Sequence, residues 1–205
     1  DERINFPMYF PTDTANIGSD RRSLFHVLLK AIKDSTLTEV YADSYFNTKR
    51  TLQDMENTFK FRDTTNTGRD EINNFYDDYM SGKKVLERQY IDERFLTAED
   101  VSAYQIKGFW YFDKRQGELK YRLIGICPVA KEARDVGNDD AVEIPLFWIY
   151  FPAAREILNK SYAFNDKNSA MPISFDRLLN SRRFNAVVTK EENVYGDREI
   201  EKYMK

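Results

Sequence analysis

Leu24, Val27, Leu28, Ala31 and Ile32 recur at the i, i+3, i+4, i+7 and i+8 spacing of an amphipathic helix. They predict a helix over about 20–34, with Ser19 or Asp20 to cap it. Before it, Phe6, Met8, Tyr9 and Phe10 crowd a segment punctuated by Pro7 and Pro11, and residues 1–18 are expected to form an extended N-terminal arm. Four large apolar side chains need cover, so the arm either docks on its own domain or is donated to a neighbour. Residues 35–96 carry the weakest pattern. Leu52, Met55 and Phe59 have helical spacing, and "DTTNTGRDEINN" at 63–74 reads as an exposed polar loop. Thr97 with Asp100 three residues on matches a capping box and predicts a short helix to about Tyr104.

The strongest strand signal is "IKGFWYFDKRQGELKYRLIGICPVA". Aromatic and β-branched residues flank Lys114-Arg115-Gln116-Gly117, which predicts a hairpin over about 106–113 and 118–127. Gly125 suggests a bulge or a close backbone approach, and Pro128 is expected to end the second strand. A third strand is predicted over about 142–151, followed by a helix over 152–160 that Pro152 opens. Strand alternation puts Val142, Ile144, Leu146, Trp148 and Tyr150 on one face and Phe147, Ile149 and Phe151 on the other. The longer series is expected to face the core, leaving the shorter for a partner. Ser174 caps a last helix over 174–183, with Phe175, Leu178 and Leu179 on its apolar side. The fold class that follows is α+β: a mostly antiparallel sheet (hairpin about 106–127 plus strand about 142–151) with packed helices and the extended arm. Residues 19–205 are expected to form a single domain.

Composition narrows the function classes. At 205 residues, with 41% hydrophobic and 32% charged side chains, the chain has enough material for a real core. Fifteen Phe and thirteen Tyr with few Gly and Pro argue against disorder. A net charge of −3 provides no general attraction for nucleic acid or anionic membrane. Residues 1–105 carry 14 basic and 19 acidic side chains, a net of −5, while residues 106–205 carry 17 and 15, a net of +2. That asymmetry permits end-to-end complementarity between copies. No apolar run approaches the ~20 residues that span a bilayer. The start "DERINFPMYF", without Met or a signal-like segment, is expected of an excised or processed piece.

Catalytic material is thin. With one His and one Cys, a single chain builds neither a Cys/His zinc site nor a Ser-His-Asp triad. His26 lies off the apolar stripe and reads as a surface imidazole, and Cys127 as a small buried packing group. Asp77-Asp78 and Asp139-Asp140 sit in polar surroundings that do not raise a carboxyl pKa for acid catalysis. Thr at the third and fifth positions and Asn74 at the twelfth spoil "DTTNTG" as a calcium loop. No phosphate-binding glycine motif occurs, and no catalytic, cofactor or metal residue is assigned. Interfaces are the better prospect. Phe109, Trp110, Tyr111 and Phe112 line both faces of a short strand, most of them expected in the core, yet such residues also anchor partners. Phe6, Tyr9, Phe10, Phe109, Arg177, Arg182 and Arg183 are the candidate interface residues. For the arginines the alternative is a solvated face.

"GFWYFDKRQGELKYRLIGICPVA", "PLFWIYFPAAREILNK", "SFDRLLNSRRFNAVVTKEENVY" and the N-terminal "INFPMYFPTD…RRSLFHVLLKAI" together resemble the GldN/PorN family of gliding-motility and type IX secretion proteins. The likeness covers most of the chain and is weakest over about 38–96. It implies a non-enzymatic periplasmic component, outer-membrane associated, that joins a PorK/GldK-type lipoprotein in large rings and contacts a PorM/GldM-type motor protein. The family supplies no catalytic motif and no cofactor. Two alternatives stand beside it: a peptidoglycan-binding module using aromatics and arginines, and a small carboxylate-dependent enzyme.

Overall fold

The computed structural model describes residues 2–13, 15, 18, 21–164, 172–194 and 196–202. In chain order the regular elements are α1 (Phe6–Tyr9), α2 (Leu24–Lys33), β1 (Val40–Tyr41), α3 (Leu52–Phe59), β2 (Lys60–Thr64), α4 (Asn66–Asn74), α5 (Tyr76–Met80), β3 (Ile91–Phe95), β4 (Val101–Asp113) and β5 (Glu118–Ala130). They continue as β6 (Ile144–Pro145), β7 (Trp148–Tyr150), α6 (Phe151–Lys160), β8 (Tyr162–Ala163), β9 (Ile173–Ser174), α7 (Phe175–Asn180), β10 (Lys190–Asn193) and β11 (Gly196–Glu199). The class is α+β, as the pattern predicts. Among the described residues every strand-to-strand pairing is antiparallel, and one isolated parallel bridge joins Arg21 to Tyr162.

The main sheet runs β1-β7-β5-β4, with β6 beside β5 on the same edge as β7. Its spine is the predicted hairpin, with the turn where expected and the open end longer, reaching back to Val101 and on to Ala130. Pro128 does not end β5. It pairs with Tyr104 inside the ladder, and its carbonyl accepts the Leu146 N–H at 3.0 Å. The turn is closed by Asp113, whose carbonyl accepts the Gly117 N–H at 2.8 Å and whose carboxylate accepts from the Arg115 N–H at 3.0 Å. Gly117 takes the left-handed φ of 68° that this turn requires. Ile124 is the extra residue of a bulge: Lys107 faces Gly125 and Gly108 faces Leu123. Gly125 also permits the close approach its sequence position suggests. A Cβ there would stand 2.5 Å from the Phe46 ring.

One face of this sheet is the core. Helices α2, α6 and α7 bring Leu24, Phe25, Leu28, Leu158, Phe175 and Leu179 into a cluster with Ile126 and Ile149. Phe147, fully buried, meets the rings of Phe59 at 5.6 Å and Phe25 at 6.5 Å. The expectation for 142–151 therefore holds only in part. Leu146 is in the main core as expected, but so are Phe147, Ile149 and Phe151, the series expected to be left for a partner, while Val142 is exposed and Tyr150 is 37% exposed. Pro145 is the physical reason. It stops β6 after two residues, so 142–150 is two short strands and the longer alternation never lies on one ribbon. Trp148 is buried too, but on the opposite face, in a smaller cluster with Tyr41, Cys127 and the partly buried Phe46.

Four local expectations change. Ser23, not Ser19 or Asp20, caps α2 by accepting the His26 N–H at 3.3 Å; residues 19 and 20 lie outside the described residues. The polar stretch 63–74 is mostly helix α4, because Thr65 caps it and its buried Gly68 lies against Tyr90. The Thr97–Asp100 capping box forms but opens only a single turn at Ala98–Asp100, since β4 claims the chain from Val101. The arm is not extended throughout: Glu2–Asn5 and Phe6–Tyr9 are helical turns, and Phe10 is extended. Pro7 sits in the first turn of α1, where its missing N–H costs nothing.

Candidate functional site

Beyond the bulge, β4 and β5 leave the sheet as a two-stranded ribbon. β7 reaches β5 at Gly125 and Ile126, so among the described residues no third strand lies beside 108–123. Residues directly opposite share a face. On the core-facing side Trp110 opposes Tyr121 and Phe112 opposes Leu119; on the other, Phe109 opposes Arg122 and Tyr111 opposes Lys120. Both faces are open. Phe109 is 43% exposed, Trp110 51%, Tyr111 41%, Phe112 60% and Leu119 64%. Most of this run was expected in the core, and it is not there. The available signal was on the second strand: Lys120 and Arg122 alternate with Tyr121, and charges opposite aromatics mark a solvated ribbon face.

The tip is ordered by its own contacts. Phe109 and Tyr111 tilt together at 5.8 Å, and Trp110 meets Tyr121 edge-to-face at 5.2 Å. The Lys120 ammonium bonds the Asp113 carboxylate at 2.8 Å, which raises the lysine's pKa and lowers the aspartate's. The Arg182 guanidinium lies 4.6 Å from the Trp110 ring centroid and 5.0 Å from that of Tyr121. Burial pushes the Tyr121 phenol up, with Arg182 pulling weakly the other way.

Helix α7 positions that arginine. Its C-terminus closes with Arg182 donating to the Leu179 carbonyl at 3.1 Å and Arg183 donating to Leu178 at 3.0 Å, the paired bonds of a Schellman motif. Arg182 therefore holds the left-handed position, φ 53°, that glycine usually fills. The helix is shorter than the 174–183 expectation, so Arg182 and Arg183 lie past its end and only Arg177 is on it. All three are exposed. Their neighbours in sequence are engaged elsewhere: Arg155 makes a two-pronged bond to Asp176 at 2.8 and 3.1 Å, and Lys160 pairs with Glu156.

The arm meets the same face nearer the base of the hairpin. Tyr9 packs on Tyr104 at 5.2 Å, and Tyr104, Ile106, Trp110 and Phe112 share one side of β4. Asn5 exchanges two hydrogen bonds with the Asn185 backbone at 2.9 and 2.8 Å, which fixes the arm to the segment after Arg183. Met8 is buried, and Phe6 and Phe10 stack edge-to-face at 5.4 Å while remaining about half exposed. The structure thus brings Arg182 to the hairpin and Tyr9 to its base. It puts Phe109 on the opposite face of the ribbon from Arg182.

Chemistry is not concentrated anywhere comparable. An open hollow of about 600 Å³ between the arm and the start of β4 holds one carboxylate, Glu99, and a second of about 360 Å³ beside Phe10 holds Asp13 and Arg21. Carboxylates with a resolved shift among the described residues, Glu39, Asp54, Glu93, Asp113, Glu156 and Glu199, all move down, away from a general acid's range. Burial pushes the Cys127 thiol up to about 12, which keeps it protonated. Burial, then Arg22, Lys30 and Lys33, lowers the His26 pKa. Among the described residues no three His, Cys, Asp or Glu are grouped to hold a metal, and no helix is long and apolar enough to cross a membrane.

Compared with known families, the chain matches the model described as Gliding motility associated protein GldN over residues 1–205. No curated protein matches it significantly.

Proposed function

The chain belongs to the GldN family of gliding-motility-associated proteins, and from that premise we propose that it is a non-enzymatic structural subunit of the periplasmic ring of the type IX secretion and gliding machinery. In this reading it is held at the outer membrane by a PorK/GldK-type lipoprotein, contacts a PorM/GldM-type motor protein, and associates with further copies of itself. The observation that carries the reading is the aromatic hairpin tip: four aromatic side chains, each at least 41% exposed, spread over both faces of one ribbon. Exposed aromatics beside arginine are the composition of interface anchors rather than of a free surface. Phe6 and Phe10 on the arm add a second exposed apolar group on the core-facing side.

Co-purification from periplasmic extract, followed by mass spectrometry and electron microscopy, tests this. Recovery of the lipoprotein with ring-shaped particles is expected. A chain that stays monomeric and captures no lipoprotein overturns the reading, and sedimentation with isolated cell wall instead would transfer the tip to peptidoglycan binding.

A further inference from the structure

The hairpin tip has a counterpart on the same chain. Strands β2 and β3 form a separate ribbon that joins the domain at Phe59 and Leu96 and carries α4 and α5 at its far end. Those two helices, residues 66–80, hold Asp70, Glu71, Asp77 and Asp78 against the single cation Arg69. Phe75 and Tyr76 stand between the acids and Met80 follows them, exposed at 43%, 54% and 67%, with the Lys84 ammonium 3.4 Å from the Phe75 ring centroid. The tip has the reverse balance. Across 107–122 there are five cations, Lys107, Lys114, Arg115, Lys120 and Arg122, against Asp113 and Glu118.

Much of this charge is unspent. Among the described residues Asp70 and Asp77 make no ion pair, and neither do Lys114, Arg115 and Arg122. Lys84 engages Glu71 on the lobe and Asp113 engages Lys120 at the tip, but the remaining charges leave each surface with apolar rings framed by one sign, and the two signs are opposite. Nor does the chain bring them together. The acidic ribbon enters the domain just before β4, while the basic tip is where β4 ends, thirteen residues and about 40 Å of strand later.

We propose that the basic aromatic tip of one copy docks on the acidic α4–α5 surface of a second copy. The contact is heterologous, so each bound copy still offers one free tip and one free lobe, and association propagates head to tail. Charge complementarity fixes the partner as another copy: the tip excludes itself by like charge, as does the lobe. This rests on the reading of the chain as a structural subunit and specifies which of its surfaces meet.

Charge exchange tests it. Lys114→Glu/Arg115→Glu reverses the tip and Asp70→Lys/Asp77→Lys reverses the lobe; all four side chains are exposed, and thermal melts confirm that both variants fold. Sedimentation velocity of the full chain at low salt should show concentration-dependent association that each variant loses by on the order of ten-fold or more. An equimolar mixture of the two variants should regain it, because every tip then finds a lobe of opposite charge. A chain that remains monomeric across the accessible concentration range overturns the proposal, as does association unaffected by either reversal or a mixture without recovery. Capture of the lipoprotein by the same proteins separates the two claims: captured but insensitive to charge exchange, the subunit reading stands and the head-to-tail contact falls.

Discussion

Two nearly identical runs meet opposite fates in this molecule. Phe-Trp-Tyr-Phe at 109–112 stands in solvent, while Phe-Trp-Ile-Tyr-Phe at 147–151 holds Phe147, Ile149 and Phe151 in the main core and Trp148 in a second cluster. Strand propensity does not distinguish them. Position in the sheet does. β7 lies between β1 and β5, with helices on one face and the Tyr41–Phe46 loop on the other, whereas the β4–β5 tip runs past β7 and its rings stay about half exposed even where Arg182 reaches them. Aromatic density reports the need for cover, and topology decides whether the chain or a partner supplies it.

Truncation should separate the runs most widely. Phe147→Ala leaves a cavity among Phe25, Phe59 and Ile149 and is expected to cost about 3–5 kcal/mol in denaturant unfolding. Trp110→Ala removes a half-exposed ring and should cost less than about 1 kcal/mol while abolishing assembly. Equal losses at the two sites would break the comparison. Gly125→Ala tests the second face. Its Cβ drives into the Phe46 ring, with Trp148 3.3 Å away on another side, and about 1–3 kcal/mol should be lost. Adding Phe46→Ala relieves the clash, so the double variant should be no less stable than Phe46→Ala alone.

How much of this the sequence made legible varies by element. The α2 stripe, the Ser174 cap and the hairpin turn were readable because each depends on neighbours three or four positions away. The burial of Phe147, Ile149 and Phe151 in the main core was not, because it depends on which side α2, α6 and α7 settle, a tertiary fact absent from strand alternation. Helix α4 was hidden by Asn and Thr, weak helix formers that a cap and a buried glycine contact outweigh. Of the tip aromatics only Phe109 reads as a candidate interface residue from sequence, and the rest read mostly as core. Nothing local says that β7 stops at Tyr150 and leaves the tip unflanked.

A pH titration probes what covers the second face and not the tip. The Tyr45 hydroxyl bonds the Asp197 carboxylate on β11, and Lys107 lies 4.1 Å from its ring. That hydrogen bond, then lost hydration and the negative charges of Asp197, Glu192 and Asp43, push Tyr45 up to about 12 from its ordinary value of 10.0. Folding raises this pKa, so the contact contributes fully below pH 10 and is lost as pH rises through 12. Asp197→Asn should return Tyr45 toward its ordinary value, read as the difference between two tyrosinate absorbance titrations. Superimposable titrations would mean that the C-terminal hairpin is not seated there.

The smallest effect is expected at Arg182, where two terms oppose. Its left-handed backbone costs a non-glycine residue about 1 kcal/mol, and its guanidinium over Trp110 returns about 0.5–1 kcal/mol. Arg182→Gly removes both and should leave stability within about 0.5 kcal/mol of the parent. Arg182→Ala keeps the strain and discards the ring contact, so it should be the less stable of the two by about 1 kcal/mol. Fluorescence reports the ring directly, because Trp110 is half exposed and Trp148 only 7% exposed. Emission should shift to the red in both variants, as the guanidinium that shields Trp110 is gone. If Ala and Gly prove equally stable, the left-handed turn carries no strain and glycine's absence from position 182 needs no functional reason. If Gly is stable yet assembly fails, an arginine has been kept where glycine would fold as well, and the tip's partner is what requires it.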